Sequence, residues 1–475
     1  MEIGHGTHGK ILTTEDPNVV CKVFARDCFP SETFLREIAV NKLVKDKQFV
    51  INLVPDYGQY QLRMKRYKCS LSELEGYLQL KSIIYGILHG LYQANKVGII
   101  HQDLKPDNIL IDELGDPVIT DWGIASFYYD VLKNSRDLIQ TLYWRAPEIL
   151  DKSYESNGYR ANVDIWSLGI IMLDLYTNGL IPAGKDEFHQ LSLAKTIDLD
   201  LDIDPQAKDL LHRMLTIDPN RRITVDQALN HPFFDDITNC IYDPIETVIT
   251  RMIPINHNLD PQLRYDVLSH LYELLKQYPD PDFSMFYLAC AMLDLYTSVK
   301  FDPLTYKQIG LACLNLAVAL IDMVELAYTT TNISPVEPIH VADVLETLDG
   351  ELYISTLYIH LKAMEYDNIR LSQCSKLLKY VVLDYHHHRF DPIDLVRGIR
   401  SIYNPVLEAK PEIIEFLTPH IPIEKHPNVD EEKDQPPVDE IKPIDIIDHD
   451  DLPPPMPVFS TPQPKLTRAF SELLI

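Results

Sequence analysis

The stretch that decides how this chain is read is His101-Gln-Asp-Leu-Lys-Pro-Asp-Asn108, followed by Asp121-Trp-Gly123 and then by Ala146-Pro-Glu148. Any one of these short segments arises by chance, but the ordered set does not. Upstream, Gly4-His-Gly-Thr-His-Gly9 spells G-x-G-x-x-G, which is weak alone because dinucleotide-binding folds share it. Its context is Ile11 two residues on, then Val19-Val-Cys-Lys22, and about 15 residues later Leu35-Arg-Glu37-Ile38 on a helical apolar pattern.

Taken together, these segments resemble the protein kinases, and closest among them the cyclin-dependent kinase group. The resemblance implies an α+β bilobal kinase fold over residues 1–236, using ATP and Mg2+. Gly4, Gly6 and Gly9 let backbone close over phosphates without a Cβ in the way. Lys22 supplies a point charge to the α and β phosphates, and Glu37 holds Lys22. Asp103 matches the base that accepts the substrate hydroxyl proton, Lys105 would neutralise the γ-phosphate, and Asn108 and Asp121 match the metal ligands. Adenine is expected between Ile11 and Val20 above and Leu110 below, with Met64 as gatekeeper and Tyr67 on the hinge. Asp164 matches the buried aspartate that braces the catalytic-loop backbone, and Arg222 the arginine that pairs with Glu148.

Four departures bear on regulation. Gln102 stands where the family has an arginine that grips a phosphorylated activation loop, and the phosphosite itself corresponds to Arg136. The expectation is a loop that orders itself, through Arg136 and Asp137, without an activating kinase. His8 takes the place of an inhibitory tyrosine. Trp122 replaces the usual phenylalanine, and Asp121-Trp-Gly-Ile-Ala-Ser-Phe-Tyr resembles the same segment in casein kinase two. One helical turn beyond Glu37, Asn41 offers an acceptor for the indole N–H, which predicts a hydrogen bond locking helix to loop; otherwise Asn41 faces solvent. Thr141-Leu-Tyr-Trp-Arg145 resembles the cyclin-dependent segment that accepts proline after the target residue, so protein substrates with Ser/Thr-Pro sites are implied. Only about 55 residues separate Trp166 from Arg222, too few for the insert those kinases carry there.

Composition sets the wider frame. The chain has 475 residues, 46% of them hydrophobic, enough to bury a core in each of two or three domains. A formal charge of -27 argues against nucleic acid as a partner, because phosphate backbones need a basic face. Seven cysteines stand singly, the usage of a reduced cytoplasmic or nuclear compartment. Met-Glu-Ile-Gly opens the chain without a secretory signal pattern. The longest apolar run, Ile309 to Ile321, is about 13 residues and interrupted by Asn315. It reads as a buried helix and implies no membrane span.

Within a segment read as residues 237–420, residues 262–420 carry helical periodicity: Tyr265, Leu268, Leu271, Leu274 and Leu275 on one face, then Phe286 to Tyr296, then the Ile309 run. This reads as an all-α domain. It resembles a cyclin box: a leading helix with Arg264, a second ending Leu293-Asp294-Leu-Tyr, a buried central helix, and a later one from Val341 to Leu357. Where cyclins carry a kinase-contacting lysine, this chain has Ala319, so the segment is either a divergent cyclin-like domain acting on its own kinase in cis or an unrelated helical docking module. His386-His387-His388 point about 100° apart on a helix and read as a solvated end rather than a metal site. Residues 421–475, rich in Pro and acid, read as a disordered tail. Within it, Thr461-Pro462 offers an autophosphorylation site and Thr467 to Ile475 a docking segment. Two function classes follow: an active Ser/Thr kinase with a built-in helical regulator, or a kinase-fold scaffold that binds without catalysis.

Overall fold

Val19-Val-Cys-Lys-Val23 is β-branched and alternates two faces, and it forms the third strand of an antiparallel sheet. In the computed structural model the strands are β1 (Glu2–Gly6), β2 (Gly9–Thr13), β3 (Val19–Val23), β4 (Val54–Asp56) and β5 (Gln61–Lys65), ordered β1-β2-β3-β5-β4. The structure describes residues 2–421 apart from 7–8, 25–28, 75–78, 128–140, 152–161, 178, 180–183, 238–241, 243–251, 280, 323–328, 330–331, 355, 365–367 and 405–406. Register does the positioning. Ile11 lies opposite Lys22 and Val20 opposite Met64, so these four side chains share one face of the sheet.

Beside the sheet runs α1 (Glu32–Val44), started by Ser31, whose hydroxyl accepts from Phe34 N at 3.2 Å. Below lie α2 (Leu80–Lys96), a small sheet of β6 (Cys69–Ser70), β8 (Ile109–Ile111) and β9 (Pro117–Ile119), and the pair β7 (Ile99–Ile100) with β10 (Ser126–Phe127). The lower lobe is helical: α3 (Pro147–Leu150), α4 (Asn162–Thr177), α5 (Glu187–Lys195), α6 (Pro205–Met214) and α7 (Val225–Leu229). Apolar on every side, α4 is buried from Val163 to Leu173 and forms the lobe's central post.

The second half is all helix among the described residues: α8 (Pro261–Leu275), α9 (Phe283–Val299), α10 (Tyr306–Asp322), then Pro338–Leu348, Leu357–Met364, Asn368–Leu383, Pro392–Tyr403 and Pro411–Leu417. The Ile309 run is the buried centre of α10, which packs against α9, α8 and the Pro338–Leu348 helix. No helix is long and apolar enough to cross a membrane among the described residues. Although the sequence divides the chain at residue 236, Met1–Pro422 forms one compact unit with a contiguous apolar core. The expectations for residues 421–475 lie almost wholly outside the described residues.

Three expectations for this half need correction. On α8, Leu268, Leu271 and Leu275 face inward as expected, but Tyr265 is 46% exposed, and Arg264, which the apolar pattern left out, is fully buried. The helix expected from Val341 to Leu357 breaks at Asp349 and Gly350, both left-handed (φ 47° and 75°), which no α-helix continues through. The three histidines sit on a 3-10 turn rather than a solvated helix end: His386 is exposed, but His387 is buried and His388 Nε2 lies 2.9 Å from Asp294 Oδ2. Arg264 holds the same carboxylate bidentately at 2.7 Å each, bonding α8 to α9. The sequence missed this triad because Arg264 and His388 lie 30 and 94 residues from Asp294, separations that no periodicity links.

Candidate active site

The shared face of β2, β3 and β5 roofs a cleft of about 750 Å3. Ile11, Val20, Met64, Tyr67 and Leu110 supply its apolar walls, and Gly9, Lys22, Lys105, Asn108 and Asp121 also line it. Gly4 and Gly6 lie on β1, hairpinned to β2, while Thr7 and His8 are outside the described residues. A slot with apolar walls at one end and lysines with acids at the other is complementary to a flat base carrying phosphates.

Lys22 joins the two ends. Its Nζ donates to Glu37 Oε1 at 2.5 Å and to Asp121 Oδ1 at 2.7 Å, so β3, α1 and the Asp121 segment meet at one ammonium. Burial alone would lower the Lys22 pKa, but the two flanking carboxylates raise it, and its charge is secure. With two carboxylates around one cation, the more buried one bears the excess. Glu37 is pushed up to about 7 by burial, against the pull of Lys22, with the negative charge of Asp121 adding to the rise.

The catalytic loop is braced as its pattern implies. Asp164, wholly buried, accepts from the backbone N–H groups of His101 (2.8 Å) and Gln102 (2.9 Å). Gln102 has φ +67° and Asp121 φ +60°, left-handed conformations that cost a non-glycine residue about 1–2 kcal/mol and here occur beside Asp103 and at the carboxylate that Lys22 holds. Asp103 receives Lys105 Nζ at 2.6 Å on one oxygen and Thr141 N and Oγ1, both at 2.9 Å, on the other. Thr141, which the sequence offered only as a landmark, thus ties the activation segment's end to the base and to Lys105 (3.0 Å). Arg222 grips Glu148 bidentately at 2.6 and 2.8 Å, closing that segment. Arg136 and Asp137 lie outside the described residues.

The predicted Asn41 to Trp122 bond does not form. Asn41 is buried, and its amide bridges the backbone of Leu53, donating to its O at 2.9 Å and accepting from its N at 2.8 Å. The Leu53 backbone takes both ends of the carboxamide, its N–H on the oxygen and its C=O on the nitrogen, which leaves neither for the indole. Trp122 is buried against the His101 ring (centroids 4.5 Å apart), and its Nε1 has no partner among the described residues. Gly123 instead lets this segment lie close on α1: a Cβ there would lie 2.3 Å from Thr33 Cγ2, so a side chain would push against the first turn of α1.

The residues fit Mg2+. The Asn108 amide nitrogen donates to Asp103 O at 2.8 Å, which leaves the amide oxygen, with the Asp121 carboxylate, as hard donors facing the cleft. Two protein ligands completed by phosphate and water is the usual provision for this ion.

This arrangement, a roofed apolar and charged slot with a lysine-carboxylate bridge above a braced loop carrying Asp103 and Asn108, is that of a protein kinase. The protein kinase domain family matches residues 1–234. The chain is 30% identical to human cyclin-dependent kinase 20, covering 49% of this chain and 81% of that protein. It is 27% identical to probable cyclin-dependent kinase 8 of Dictyostelium discoideum, covering 53% and 83%. To mitogen-activated protein kinase 3 of Arabidopsis thaliana it is 33% identical, covering 34% of this chain and about half (52%) of that protein's length. The chain belongs to the eukaryotic Ser/Thr protein kinases, close to the cyclin-dependent kinases, a class that uses ATP with Mg2+.

The second half packs directly against α1, which α10 meets locally. Lys42 Nζ pairs with Asp349 Oδ2 at 2.7 Å, and Tyr57 donates to Asp349 Oδ1 at 3.2 Å. Gly350 approaches so closely that a Cβ would lie 3.2 Å from Ile38 O. Sequence reasoning had named none of these contacts.

Proposed function

We propose that the chain phosphorylates Ser/Thr-Pro sites on proteins, needs no phosphate on its own activation segment, and is held active in cis by a cyclin-like helical half. The observation that carries this reading is the closed Lys22 to Glu37 pair on a helix whose outer face is covered by the chain's own α10 and Asp349-Gly350 loop. Tethering gives such a regulator millimolar effective concentration without any added contact. The buried Arg264 to Asp294 pair between α8 and α9 fits the cyclin resemblance.

In this reading Asp103 accepts the proton of the substrate hydroxyl, Lys105 bridges base and γ-phosphate, and Lys22 orients the α and β phosphates. Asn108 and Asp121 would hold Mg2+, which when bound would supply charge neutralisation at the phosphates. Arg145 supports proline direction: its Nη1 is anchored by Glu187 Oε1 at 2.5 Å, and the turn before it is fixed by Gln190 Nε2 on Tyr143 O at 3.1 Å. A proline fits there because its ring needs no acceptor for a missing N–H. An intracellular, reduced setting fits the free cysteines 21, 69, 290, 313 and 374.

The test is Mg2+-dependent transfer from ATP to a Ser-Pro peptide, a Ser-Ala control, and phosphatase-treated enzyme. Transfer that prefers Ser-Pro, survives phosphatase and falls roughly 10²–10⁴-fold in Asp103→Asn is the expected result. Nucleotide binding without turnover would instead identify a scaffold.

A further inference from the structure

Arg36 is 1% exposed, yet among the described residues no carboxylate faces it. Its Nη1 donates to Ala125 O at 3.0 Å and to the Tyr353 hydroxyl at 2.9 Å, its Nη2 donates to Leu320 O, and its Nε has no partner. A buried cation solvated only by neutral oxygens is costly to maintain and therefore informative. Each acceptor comes from a different part of the chain. Ala125 lies four residues after the metal ligand Asp121, Leu320 lies in the last turn of α10, and Tyr353 follows the Asp349-Gly350 loop. The last carbonyls of a helix lack intrahelical donors and carry its negative dipole end, so the guanidinium caps α10.

We propose that Arg36 is the positioning residue that couples the helical half to the catalytic centre, clamping α10 and Tyr353 to the metal-ligand segment through α1. The proposal rests on the cis-regulator reading and names its linkage. Adjacent residues on a helix point about 100° apart, so Glu37 reaches Lys22 in the cleft while Arg36 reaches outward, and a rotation or slide of α1 disturbs both together. Lys42 and Asp349 form the exposed rim of the same interface, with side chains 34% and 64% accessible. Solvent screens that pair, which leaves Arg36 as the buried anchor. Only a planar fork spans three acceptors in three directions; a lysine ammonium is compact and rotates.

The experiment is a double-mutant cycle on the full chain with Arg36→Ala, Glu37→Gln and the pair, reading kcat on a Ser-Pro peptide and MgADP affinity by calorimetry, with each variant's melting temperature recorded. Arg36→Lys and Tyr353→Phe serve as milder changes that keep the fold. If Arg36 acts through Glu37, Arg36→Ala lowers kcat about 100-fold, the size expected for a misplaced catalytic constellation, and costs nothing further in the Glu37→Gln background. Arg36→Lys recovers only part of the loss. A folded Arg36→Ala with wild-type kcat and MgADP affinity overturns the proposal, as do independent, multiplying losses. Should the wild type bind MgADP without turning over, the kinase reading fails, and the affinity cycle still decides the linkage by the same criterion.

Discussion

Removing Arg222 should unfold the protein several degrees early. The guanidinium spends five hydrogen bonds in a site from which water is excluded: two to Glu148 (2.6 and 2.8 Å), and one each to Thr216 O (2.9 Å), Asn162 O (2.9 Å) and Ile217 O (3.2 Å). It also lies over the Trp166 ring at 5.1 Å. Arg222→Met keeps most of the volume but strands a carboxylate that is 4% exposed, together with three carbonyls. Breaking a buried pair from one side costs about 3–5 kcal/mol. An unfolding entropy of about 2.1 cal/mol/K per residue over the roughly 420 residues of the compact unit gives about 0.9 kcal/mol/K, hence a fall in melting temperature of about 3–6 °C. Differential scanning calorimetry at pH 7.5 measures it directly. Replacing Glu148 by Met in the same chain should recover part of the loss, because the stranded charge is gone while the orphaned carbonyls remain. A fall under about 2 °C in Arg222→Met, or a double variant worse than the single one, would refute the reasoning.

Two further outcomes follow from charge. Glu37, raised to about 7 from an ordinary value near 4.5, keeps a proton in the folded state that the unfolded chain has released between those values. Its contribution is therefore complete below about pH 4.5 and lost as pH rises to about 7. In Mg2+-free buffer the urea midpoint of the wild type relative to Glu37→Gln should fall across that window, and a flat difference would contradict it. Burial alone would raise Asp294, but Arg264 and His388 hold it well below the usual carboxylate range. It stabilises above the ordinary carboxylate pKa, and that stability is lost as pH falls toward its depressed value. Asp294→Asn should cost about 3–5 kcal/mol at pH 7 and narrow its gap to the wild type in acid, as followed by circular dichroism.

The kinase half was legible wherever chemistry dictates residue type at fixed spacing. Lys22, Glu37 and Asp121, drawn from three separate motifs, meet at one ammonium, and strand register places Val20 opposite Met64. Where the outcome depends on which distant surface arrives, the sequence was silent or misleading. Asn41 looked like a partner for Trp122 only because the helical count brought it near, and nothing local reveals that the Leu53 backbone reaches it first. Arg36 reads as an ordinary helix charge until α10 is docked on it. The histidine run looked solvated because Asp294 is nearly a hundred residues upstream. For His387, burial lowers its pKa well below the usual imidazole range, an environment no local composition signals.

Gly350 deserves a last reading as a mechanical part. At φ 75°, it brings loop backbone against the Ile38 carbonyl of α1, with the Tyr57 hydroxyl beside the same spot. A methyl group there changes neither charge nor hydrogen-bonding capacity; it acts as a shim, lifting the loop off α1 by a fraction of an ångström. Because the clearance is set by main chain on both sides, no rotamer adjustment on the α1 side absorbs the shim. The joint is stiff in compression for the same reason, and small displacements of the helical half pass to α1 with little lost motion.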